Sequence, residues 1–154
     1  MQQNQAHGSW MVLQTTFYLK YYYMKIHRFK TLYPVSVYVY FGEDLSPVVD
    51  DFVYVDEREG SIQSSYDNND ALCYYECKRK DDDSHAIILC FKDYDVLTIV
   101  HEAVHCARHI WEHVGESVTG VEADAYLMEW VVRCCIEAYE ENEGITDKIL
   151  RTHP

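Results

Sequence analysis

The sequence predicts an α+β domain: a small antiparallel sheet of about four strands, followed by two long helices. Three observations carry that prediction. Residues 33–92 hold short apolar runs rich in β-branched and aromatic side chains, separated by turn-forming residues. From Tyr94 onward the apolar spacing lengthens to the helical period. No internal repeat or low-complexity linker interrupts the 154 residues, a length that suits one domain with its own core.

The elements follow in chain order. MQQNQAHGSW is polar and unpatterned, and the greasy WMVLQTTFYLKYYY behind it is too short to span a membrane and is broken by Lys20. No positive charge precedes Trp10, so a secretion signal is not expected. Met24 reads as the older start, with residues 1–23 an extension, poorly ordered or foreign to the native protein, and 24–154 the single domain. YPVSVYVYFG (33–42) and FVYVDE (52–57) read as strands, and REGSIQSSYDNND (58–70) as a loop. ALCYYECK (71–78) and HAIILCFK (85–92) flank a charged turn and are expected to pair antiparallel. Apolar residues at 96, 100, 103, 107, 110 and 114 mark one helix face, which Gly115 ends. After the connector ESVTG, a second helix is expected from Val121 to about Glu141. Its segment AYLMEWVVRCCIEAY is apolar around most of the circumference, as in a central, buried helix, and the tail beyond is expected to be peripheral.

A formal charge of −13 opposes nucleic acid or an anionic membrane as the main partner, since both need a positive field. The six cysteines form no Cys-x-x-Cys pair, and neighbours such as Cys134 and Cys135 point apart on a helix. Without a secretion signal they read as reduced thiols in a cytoplasmic protein, serving as small buried hydrophobes.

Chemistry concentrates in TIVHEAVHCARHIWEH (98–113). On a helix, His101 and His105 lie four apart on one face and can direct ring nitrogens at one metal ion. Glu102 between them can act as general base toward a water that the metal acidifies. A catalytic zinc usually takes a third protein ligand. The metzincin pattern would place Gly and His where this chain has Arg108 and Trp111, which excludes it. His109 continues the row, but a helix advances about 6 Å per four residues, so three in-line ligands cannot close on one ion. His109 and His113 are therefore expected to be solvated cations near the helix C-terminus. Glu122 can reach the pair from the second helix, giving a His-His-Glu zinc site; it can equally close a capping box with Thr119, and the spacing leaves both readings open. Two imidazoles and a carboxylate would also suit iron or manganese.

IVHEAVHCARHIWEHVG, a short connector and VEADAYLMEWVV together resemble small gluzincin-type metallopeptidases, the nearest likeness being compact His-Glu-x-x-His proteins of phages and prophages. In those, a glutamate is followed by Ala-Tyr-Leu and a tryptophan, matched here by Glu122, Ala125-Tyr126-Leu127 and Trp130. A looser similarity is to the ImmA/IrrE group, whose third-ligand helix reads Glu-x-x-Ala. The resemblance covers about residues 85–135. It implies the minimal zincin architecture, one zinc ion on His101, His105 and Glu122, and Glu102 as the base. It departs where an acidic pair often precedes the glutamate, since this chain has Gly120-Val121.

The resemblance also makes HAIILCFK a candidate edge strand for an extended peptide, with a fully covered core strand as the alternative. Tyr126 can donate to a developing oxyanion or simply pack; Trp111 and Trp130 are expected in the core; Asp124 and Glu129 are candidates to orient histidine N–H groups. The expected function is zinc-dependent peptide-bond hydrolysis on a peptide or protein substrate, without nucleic acid or membrane as partner. The alternatives are a zinc-stabilised interaction or regulatory protein with little or no turnover, and a metal-free structural protein.

Overall fold

The computed structural model describes residues 24–56, 62–116 and 120–152. The expected extension over 1–23 and the capping residue Thr119 lie outside the described residues.

The architecture is α+β, with a five-stranded mixed sheet and two long C-terminal helices. The strands are β1 (His27–Lys30), β2 (Ser36–Phe41), β3 (Phe52–Tyr54), β4 (Ala71–Arg79) and β5 (His85–Phe91). Two short helices intervene, α1 (Ser46–Asp51) before β3 and α2 (Ile62–Tyr66) before β4. The long helices α3 (Val96–His113) and α4 (Val121–Thr152) complete the chain. Strand order across the sheet is β1-β2-β5-β4-β3. Neighbours run antiparallel except β2 and β5, which pair in parallel from Ser36↔Ala86 to Phe41↔Phe91.

The sheet is covered on both faces, and strand alternation assigns each side chain to one of them. Val37, Val39 and Phe41 of β2 with Ile87, Leu89 and Phe91 of β5 point to one side. There they meet Ile99, Ala103, Cys106 and Ile110 of α3 and Val131, Cys134, Cys135 and Ala138 of α4. Tyr38 and Tyr40 with Ile88 and Cys90 point to the other, against Leu45, Val48, Ile62 and Tyr66 around α1 and α2. The tyrosines bring polar tips into this second core, and three are satisfied by backbone: Tyr40 Oη donates to the Asp44 carbonyl at 2.7 Å, Tyr66 Oη to that of Gly42 at 2.8 Å and Tyr74 Oη to that of Ile62 at 2.8 Å.

Several expectations change. The sheet is mixed, and β1, too short to show a period, adds a fifth strand; α2 falls within the segment read as loop. HAIILCFK is not an edge. β5 is paired on both sides, by β2 and β4, so no backbone edge is open there for a peptide to add to. α4 is longer than expected, reaching Thr152, and it is not buried all round: Val131, Cys134, Cys135 and Ala138 face inward, while Glu129, Arg133 and Glu137 face solvent. Its far end is tied to β1, where the buried His27 ring meets Asn142 Oδ1 at 3.0 Å and Glu141 Oε2 at 3.1 Å.

Candidate functional site

The motif helix is set by its first residue. Asp95 caps α3, accepting from the Thr98 N–H at 2.7 Å and from the Thr98 hydroxyl at 2.6 Å. These bonds, the hydroxyl's first, hold its carboxyl below the usual range. At the other end Gly115 takes the left-handed φ of 71° and its N–H returns to the Glu112 carbonyl, which stops the helix as the glycine predicted. Between these ends α3 runs back along β5: it begins just after Phe91, and its last turn brings His113 against His85, with ring centroids 4.8 Å apart.

Burial of Ile99, Ala103, Cys106 and Ile110 fixes the rotation of α3 and turns His101 and His105 to solvent. Their Nε2 atoms stand 3.2 Å apart and their ring centroids 4.9 Å. The spacing predicted this convergence, and two of the nitrogens a metal would need are in place. Glu102, one step around the helix, is 8 % exposed, at the margin between core and surface. Leu97, Val100 and Val104 extend an exposed apolar strip beside the histidines.

The third ligand of the sequence reading is not brought to them. Trp111 Nε1 donates to Asp124 Oδ1 at 3.3 Å, which sets the register of α4 as it doubles back beside α3. Glu122 is exposed in the first turn of α4. Among the described residues, no three His, Cys, Asp or Glu side chains are grouped to hold a metal ion. Glu129 lies on the same exposed stripe of α4 as Glu122 and Tyr126 and pairs with Arg133 Nε at 3.0 Å. Glu129 and Asp124 thus bond to Arg133 and Trp111 rather than to the histidines. Tyr126 is 67 % exposed, so it does not pack in the core. Trp111 and Trp130 are half-buried, and Trp111 meets the Tyr33 ring edge-on at 5.7 Å.

At the far end of the histidine row His113 is exposed, as expected, whereas His109 is half-buried. With His85 they line a cavity of about 320 Å³ between the last turns of α3 and the sheet. The opposite wall is a β-bulge: Tyr74 pairs with Ile88 and Cys77 with Ala86, so Tyr75 and Glu76 together oppose Ile87. Glu76 takes φ 54°, a left-handed conformation rare outside glycine. The bulge aims Tyr75 at the helix, where it stacks on His109 with centroids 3.7 Å apart. His109 Nδ1–H donates to Glu112 Oε2 at 2.8 Å. Burial, then the neighbouring His85, holds the His113 ring below its ordinary pKa.

No protein-family model, curated protein or solved structure matches the chain.

Proposed function

We propose that the chain is a cytoplasmic zinc-dependent peptidase acting on a peptide or protein substrate. The observation that carries this reading is the pair of exposed imidazoles, His101 and His105, whose Nε2 atoms already lie 3.2 Å apart with Glu102 between them on the same helix. Zinc held there by His101 and His105 would polarise a scissile carbonyl and acidify a water. Glu102 would be the base that takes a proton and gives it to the leaving amine. Its place at the edge of the core keeps the side chain largely away from bulk solvent. The donor set is incomplete as it stands. Glu122 is the ligand implied by the resemblance, and Glu129, paired with Arg133, is a second carboxylate on the same exposed stripe of α4.

The test is proteolysis and zinc content measured together. Glu102→Gln is expected to retain zinc and lose cleavage. Unchanged cleavage in that variant refutes the peptidase reading. Glu122→Gln and Glu129→Gln separate the two candidate third ligands, since the true one costs zinc as well as turnover.

A second reading has its own support. β5 offers no open edge beside the motif helix, and Leu97, Val100 and Val104 lie exposed next to the histidines. Both features suit a zinc-stabilised interaction or regulatory protein, for which Glu102→Gln would leave biological activity intact.

A further inference from the structure

We propose that the cavity at the end of α3 is a second metal site, taking a divalent ion of the imidazole-binding kind, such as zinc, on His85, His109 and His113. The row of four histidines then divides into two pairs of equal spacing serving two sites: the first pair opens outward, and the second closes on the sheet.

Three observations support it. First, the His85 and His113 rings stand at a separation that two co-ligands could keep. With Zn–N near 2.0 Å, two imidazoles on one tetrahedral ion have ring centroids roughly 4.5–5.2 Å apart; His85 and His113 are at 4.8 Å. Second, one ring has its outer nitrogen committed. His109 Nδ1 meets Glu112 Oε2 at 2.8 Å. With Nδ1–H given to that carboxylate, Nε2 is left as a lone-pair donor, the arrangement that orients histidines on metals. Third, the cavity's charge suits a cation: Asp56, Glu76 and Glu112 line it, and among the described residues no lysine or arginine does. The strained bulge at Tyr75–Glu76 makes the cavity's wall, and Tyr75 holds the His109 ring by stacking. The ligand atoms are not yet gathered to bonding distance, so binding must draw His109 in toward the other two.

The proposal is independent of the His101–His105 reading, and one experiment tells their failures apart. Zinc alone is titrated calorimetrically into the untagged full chain, with folding of each variant checked by circular dichroism. His101→Ala/His105→Ala is expected to leave one zinc bound, and adding His85→Ala/His113→Ala to that background is expected to remove it. Glu112→Ala in the same background should weaken the remaining zinc roughly 10- to 100-fold, the usual effect of losing a histidine's orienting partner. If His101→Ala/His105→Ala binds no zinc, or if zinc persists after His85→Ala/His113→Ala, the proposal is overturned. Should wild type and His101→Ala/His105→Ala bind equal amounts, the outer site fails and the cavity site stands.

Discussion

Which way α3 faces decides whether His101 and His105 are available to a ligand, and a pair of truncations tests it. Ile110 is 0 % exposed, on the face against the sheet, whereas Leu97, one turn before His101 and on its face, is 79 % exposed. Ile110→Ala removes three carbons from the core, about 2.4 kcal/mol of transfer free energy at ~0.8 kcal/mol each. The residual cavity adds roughly 1–2 kcal/mol. Alanine's better helix propensity returns at most about 0.5 kcal/mol. A net loss of about 3–4 kcal/mol follows, a large share of the roughly 5–15 kcal/mol that holds a domain together. Leu97→Ala should stay within about 0.5 kcal/mol of wild type. Urea unfolding followed by circular dichroism reads both, with the slope against denaturant unchanged. Equal losses, or a larger one for Leu97→Ala, would mean that α3 is rotated and that His101 turns inward with Leu97.

Two other outcomes are expected. Asn142→Ala removes the amide oxygen that meets His27 Nε2 and accepts from the Lys25 N–H, and should cost about 1–3 kcal/mol with faster amide exchange along β1. Burial pushes the Cys77 and Cys134 thiols up to about 12, and raises Cys90, while Cys106 is raised by its bond with Cys73 and by burial. A thiol reagent at pH 8 should therefore modify the native chain slowly and at half-buried Cys73 first, and all six cysteines once the chain is unfolded.

The sequence showed elements more reliably than neighbours. Alternation marked β2, and the charged turn 79–84 correctly joined β4 to β5, because both signals are local. The start of α3 and its stop at Gly115 were legible for the same reason. The central place of β5 was present in the sequence but underused: AIILCF is apolar at every position, as a strand covered on both faces requires, where a half-exposed strand would alternate. The convergence of His101 and His105 followed from helical spacing, but the place of Glu122 did not, since register between helices depends on contacts such as Trp111–Asp124. The exposure of His113 was foreseen, but the half-burial of His109 was not, because nothing in its spacing points to the bulge tyrosine that stacks on it.

The parallel pairing of β2 with β5 also bears on how the chain assembles. β2 is made some fifty residues before the strand that completes it, with α1, β3, α2 and β4 in between. Until β5 emerges, β1 and β2 form a hairpin with one open, apolar edge, and β3 and β4 form another. Joining them closes a long loop around the most hydrophobic strand, a high-contact-order step that delays the sheet and leaves sticky edges exposed in the meantime. The strand that leads directly into the motif helix is thus the one on which folding waits, so the histidine pairs can be presented only after the sheet has closed.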